Sequence, residues 1–162
     1  MPLALVVHER RGVWGRQLRP RLAGQPVRVF ETRLRAELEE NVTRSARPIL
    51  VVVLDDRPAQ AVEDMAHALA VAPGALTLVL DPRAHPLLAA AARELGATLV
   101  LPGSTPPPVV AELLVRWTAL ARRRADGDGW WPGPPPATLD TITLAGQLHD
   151  PVPLPFRQCL TT

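Results

Sequence analysis

The sequence predicts an α/β protein: a five-stranded parallel sheet, doubly wound, with helices on both faces and the strand order 2-1-3-4-5. Three observations predict it. Five short apolar runs, rich in Val and Leu, alternate with five stretches of helical spacing. Parallel neighbours need a crossover between them, and each such stretch supplies one. The clearest run, Ile49-Leu50-Val51-Val52-Val53-Leu54, is apolar without interruption, as a central strand covered on both faces should be.

The first strand is Leu3 to Val7, short and continuously apolar. A helix follows through Val13, Trp14, Leu18 and Leu22, with Pro20 expected to end or kink its last turn. Val27 to Phe30 makes the second strand. Leu34 to Ser45 reads as a helix with Leu34, Leu38 and Val42 on its buried face and Glu37, Glu39 and Glu40 outside. After the central strand come a helix over Ala59–Ala70, a Pro73-Gly74 turn, and a fourth strand from Leu76 to Leu80, closed by Asp81-Pro82. Leu87 to Leu95 is an alanine-rich helix stopped by Gly96. Thr98 to Leu101 is the fifth strand. The last helix runs from Val109 to about Arg124, with Val110, Leu113, Leu114, Trp117 and Leu120 inward.

Five strands within about 124 residues suit the flavodoxin-like winding better than a six-stranded dinucleotide fold. Composition then changes. Asp126-Gly127-Asp128-Gly129 is a turn or hinge, and Trp130-Trp131-Pro132-Gly133-Pro134-Pro135-Pro136 cannot continue a helix. The expected organisation is an α/β domain over 1–124 and an extended tail over 125–162, with one possible strand, Leu139 to Leu144.

Nearly half of the 162 residues are apolar, enough for a single packed core. All eighteen basic side chains are arginine, yet the formal net charge is only +2. Such a balance does not call for nucleic acid or an anionic membrane as partner. The single cysteine, Cys159, excludes a disulfide framework and a thiolate metal cluster. The first apolar run is too short for a signal peptide and no run spans a bilayer, so a cytoplasmic protein is expected.

In doubly wound sheets the functional groups gather beyond the carboxyl ends of the strands, where the winding reverses. There the chain offers His8 and Glu9 after the first strand, Asp55 and Asp56 after the third, Asp81 after the fourth, and Pro102-Gly103-Ser104-Thr105 after the fifth. Converging carboxylates suit Mg²⁺, a hard ion that takes oxygen ligands. His8, without a second ligand near it in sequence, reads as a solvated loop residue. No glycine-rich phosphate cradle follows any strand, and Gly103-Ser104-Thr105 is not a nucleophile elbow.

With this set of residues, positions 1 to about 124 resemble the receiver domain of two-component response regulators. The resemblance places Asp55 at the phosphoacceptor position and Glu9 as the remaining acid after strand one, with His8 in place of the other. Leu80 or Asp81 stands where the family has Thr or Ser, and Leu101-Pro102 where it has Lys-Pro. Leucine cannot hold phosphoryl oxygens as the lysine does, and an aspartate would repel them. The resemblance therefore implies a degenerate receiver with a vestigial phosphoacceptor site at Asp55, Asp56, Glu9, His8 and Asp81. Arg10, Arg57 and Arg83 are candidates to fill the rim, and a pair of arginines could bridge to Asp55.

The expected function is a non-catalytic protein–protein interaction or regulatory module. Its partner would be another protein or a second copy of itself, with no membrane and no nucleic acid involved. The resemblance implies contact surfaces on the fourth helix, fifth strand and fifth helix. The tail adds a second kind of surface. Adjacent tryptophans between prolines either fold back or anchor in a partner, and the run Leu139–Leu144 could extend a sheet edge. Candidate partner-binding residues are Trp117, Trp130, Trp131, Leu139, Ile142 and Leu144. No resident metal or cofactor is expected. The alternatives are a phosphorylatable switch with Mg²⁺ at Glu9 and Asp55, and a small-ligand-binding flavodoxin-like protein or enzyme.

Overall fold

A computed structural model of the chain describes residues 3–125. Five strands, β1 (Leu3–His8), β2 (Val27–Thr32), β3 (Ile49–Val53), β4 (Leu76–Asp81) and β5 (Leu99–Pro102), alternate with five helices. These are α1 (Val13–Arg21), α2 (Arg35–Val42), α3 (Pro58–Val71), α4 (Pro86–Glu94) and α5 (Pro107–Ala125). All pairings are parallel and the sheet order is β2-β1-β3-β4-β5, as the sequence predicts.

The sheet's period of two divides the core into two layers. Leu5, Val7, Ile49, Val51, Val53, Leu78 and Leu80 pack with Trp14 and Leu18 of α1 and with Val110 and Leu114 of α5. Val6, Leu50, Val52, Leu54 and Val79 pack on the other face with Leu38 and Val42 of α2, Met65 and Ala68 of α3, and Ala92 of α4. The same alternation decides where the polar residues just beyond each strand point. Among the described residues no helix is long and apolar enough to cross a membrane.

Several local expectations are corrected. Leu34 does not pack inward: it is 59% exposed and stands in the extended residue before α2, outside the helical register that buries Leu38 and Val42. Leu120 is also exposed, because α5 turns Thr118 and Ala121 to the core instead. Strand β2 runs on to Thr32 and β1 to His8, since polar side chains there have buried partners. Pro20 lies one residue from the end of α1, and Gly96 follows α4 with φ 106°, the left-handed stop that glycine allows. Trp117 is half-buried against the α1/α5 layer of the core. The expectations for Trp130, Trp131, Leu139, Ile142 and Leu144 lie outside the described residues.

Candidate functional site

Beyond the carboxyl end of β3, Asp55 is buried and its carboxylate is occupied by the backbone. Oδ2 accepts the N–H of Arg10 at 2.9 Å and that of Arg11 at 3.3 Å. Oδ1 accepts the N–H of Asp56 at 2.7 Å. Asp55 thereby pins the loop between β1 and α1 against the end of β3. Charge-assisted bonds of this kind are roughly twice as strong as neutral ones.

Glu9 is committed in the same way. Its Oε2 accepts from the N–H groups of Val13 and Trp14, each at 3.0 Å, and its Oε1 from Gly15 at 2.6 Å. These are the unpaired donors of the first turn of α1, so the carboxylate caps the helix and meets its positive end. The residue at the usual capping position, Gly12, has φ 65° and no side chain to do it. Helix α1 thus begins on an acid four residues before its first residue.

Asp56 carries the arginines. Arg11 reaches its Oδ1 from NH2 at 2.6 Å and from Nε at 2.9 Å, and Arg83 approaches the same oxygen at 3.8 Å. The hydrogen bond from Arg11 holds the Asp56 carboxyl below the usual carboxylate range. The arginines that could have bridged to Asp55 do not: its oxygens already face backbone donors, and the guanidinium groups of Arg11 and Arg83 settle on the exposed neighbour. Asp81, at the end of β4, turns to the α4 side. Its Oδ2 accepts the N–H of His85 at 2.6 Å and its Oδ1 meets His85 Nδ1 at 2.7 Å. Next to it, Gly103 accepts no side chain, since a Cβ there would lie 2.1 Å from Pro82 Cα. The loops after β4 and β5 touch at that point.

His8 is not a solvated loop residue. It ends β1 with its ring directed to the α2/α3 side, opposite to Glu9, and is 2% exposed. Nδ1 lies 3.0 Å from Thr32 Oγ1 and Nε2 lies 3.2 Å from Asp64 Oδ2. Asp64 also accepts from Arg35 Nε at 2.8 Å and from Gln60 Nε2 at 3.1 Å. Burial drives the Asp64 carboxyl upward, but Arg35, Gln60 and His8 together outweigh it and hold Asp64 below its ordinary value. An ionised Asp64 only accepts, so Nε2 carries the ring proton and the Thr32 hydroxyl donates to Nδ1. Burial lowers the His8 pKa more than Asp64 raises it, which keeps the ring neutral.

Thr32, His8 and Asp64 therefore have the order of hydroxyl, base and orienting acid found in acyl-transfer enzymes. Thr32, however, is 2% exposed, and no carbonyl can reach its oxygen. The cluster ties β1 and β2 to α2 and α3.

A cavity of about 200 Å³ opens above Asp55, walled by Trp14, Val53 and Pro82 with Arg11 and Arg83 at its lip. The residues do not fit Mg²⁺ as they stand. Glu9 and Asp55 each accept three N–H bonds, Asp81 faces His85 and His8 faces away from them. No group of three or more His, Cys, Asp or Glu side chains among the described residues is arranged to hold a metal ion.

Of the predicted residues, the structure brings Glu9 and Asp55 to one cavity, sets Asp56 beside it on the arginines of its lip, and sends His8 and Asp81 elsewhere. Sequence reasoning missed Asp64, Thr32, Arg35 and His85. Asp64 did leave a signal. It lies three residues after Ala61 and four before Ala68, on the apolar face of α3, where an acid requires a partner.

No family model matches this sequence, and no curated protein matches it. Solved structures do. A CheY-like receiver domain from Methanospirillum hungatei JF-1 is similar with a TM-score of 0.65 and 10% identity, over 76% of this chain and 99% of that one. A response regulator from Burkholderia pseudomallei gives 0.59 and 16%, over 78% and 75%. One from Thermotoga maritima gives 0.59 and 14%, over 74% and 98%. At such identities the likeness establishes the fold alone: residues 3–125 carry the fold of response-regulator receiver domains.

Proposed function

We propose that the chain is a regulatory protein–protein interaction module that keeps the receiver scaffold without its phosphotransfer chemistry. The observation that carries this is the state of Asp55: both its oxygens are taken by backbone N–H groups from Arg10, Arg11 and Asp56. Nucleophilic attack by Oδ2 would have to break the bonds that hold a neighbouring loop, and Oδ1 is already turned to the Asp56 N–H. The other positions agree. Glu9 caps α1, Asp81 stands at the end of β4 where the resemblance calls for a hydroxyl, and Leu101 of β5 stands where it calls for a lysine.

The partner is another protein or a second copy of the chain. The surface that supports this lies on α4 and β5, where Leu87 is 84% exposed and a groove of about 460 Å³ runs between Pro86, Ala89, Val100 and Leu101. The segment 125–162, with Trp130 and Trp131, is the second contact region.

A phosphorylatable switch is the competing reading, favoured by the open cavity above Asp55. The Burkholderia response regulator was solved with a phosphorylated aspartic acid, a calcium ion and citrate. Intact mass after incubation with Mg²⁺ and acetyl phosphate decides between them, with Asp55→Asn as control. We expect no mass change. One added phosphoryl group that is absent from the control overturns the proposal.

A further inference from the structure

Among the described residues the sheet has two open edges, and they are not equivalent. Strand β5 offers four residues and ends in Pro102, which has no N–H to give. Strand β2 offers six, contains no proline, and pairs with β1 alone. The N–H of Glu9 donates to the carbonyl of Thr32 at 3.1 Å, which fixes the phase of the ladder. Backbone groups alternate sides along a strand, so Arg28, Phe30 and Thr32 bond to β1 while Val29 and Glu31 turn N–H and C=O outward. Among the described residues these two rungs have no partner.

A groove of about 460 Å³ runs along this edge between the end of α1 and the strand, lined in part by Leu22, Gly24, Val27 and Val29. Its charge is one-sided. The Arg28 guanidinium lies 5.1 Å from the centre of the Phe30 ring and that of Arg44 lies 5.5 Å from it. Arg44 is paired with Glu40, and Arg19 with Glu31. Arg28 has no carboxylate within bridging distance among the described residues, and the half-buried ring beside it holds it in place.

We infer that the β2 edge is a docking site for an extended, acidic segment of a partner protein, which adds as a sixth strand. Outward rungs at Val29 and Glu31 supply main-chain bonds, and a carboxylate on the incoming strand meets Arg28 beside Phe30. Complementary charge there selects the partner, because an unpaired guanidinium gains most from an acid and repels a basic strand. This site rests on the interaction role proposed above, but lies away from Asp55 and from the α4–β5 groove.

The test uses the full chain, isotopically labelled, and a synthetic decapeptide of alternating Glu and Thr. The expected result is a saturable shift of the Val29 and Glu31 amide signals, with slowed exchange of both N–H groups. Arg28→Glu weakens binding by roughly tenfold or more. Val29→Pro abolishes it by deleting one outward donor while leaving the β1 ladder whole. Circular dichroism checks that both variants are folded, and a Lys/Thr peptide does not bind. Shifts confined to α4 and β5, no shift at all, or unchanged affinity in both folded variants overturns the assignment. So does an oligothymidine that competes for the same residues more tightly than the peptide. A chain phosphorylated on Asp55 that still binds the peptide would refute the first proposal and keep this one.

Discussion

The Glu9 carboxylate lies 2.6 Å from the backbone N–H of Gly15, and the same side chain serves Val13 and Trp14. It is a helix cap made by an acid outside the helix. Glu9→Ala should therefore destabilise the fold by about 1–2 kcal/mol, the range for losing a capping side chain, measured by urea unfolding. Mg²⁺ should leave the wild-type midpoint unmoved. A midpoint that rises with Mg²⁺ would mean that the acid is a metal ligand instead.

Asp55→Asn should also destabilise, by about 1–3 kcal/mol. An amide has one acceptor oxygen, and its NH₂ would face backbone donors where Oδ1 or Oδ2 now accepts. In a site where Asp55 repelled neighbouring acids, the same substitution would stabilise. The sign of the change in urea midpoint distinguishes the two.

Stability should fall as the solution is acidified through the histidine range. The folded His8 pKa is lowered, chiefly by burial, so the unfolded chain binds the proton more readily. The contribution is present above the unfolded value of about 6.5 and is lost as pH falls below it. Asp64, lowered by its partners, adds a second loss as pH falls below the ordinary carboxylate value toward its folded one. Urea midpoints between pH 7.5 and 5 should decline in the wild type and be flatter in His8→Gln. A histidine resonance titrating below its ordinary value assigns the effect to the ring.

Thr77, the second residue of β4, is fully buried, with a hydroxyl that has no partner among the described residues. Thr77→Val keeps the shape and removes the orphan oxygen. The expectation is a gain of roughly 1 kcal/mol in thermal or urea unfolding. A loss of similar size would show that the oxygen is solvated by a buried water.

The strands and their order were legible because burial on both faces leaves an uninterrupted apolar run, as in Ile49–Val53, and the helices between them permit few windings. The rim residues were legible too, as positions. Their wiring was not. Whether Glu9 or His8 faces α1 depends on the parity of β1, and a strand one residue longer than expected sends the two side chains to opposite layers. His8 meets Asp64 across 56 positions, a separation that no local pattern encodes. Leu34 failed because an apolar residue at a helix end follows the register only if the helix reaches it, whereas Leu120 lies inside α5, whose register turns Thr118 and Ala121 inward instead.

The approach of Gly103 to Pro82 leaves no room for even one methyl group. The loops that lead into α4 and α5 are therefore in direct contact at this corner, tied also by the Gly103 N–H donating to the Asp81 carbonyl at 2.8 Å. Any side chain at position 103 would have to push the two loops apart, so the seam between them is written in a single missing carbon.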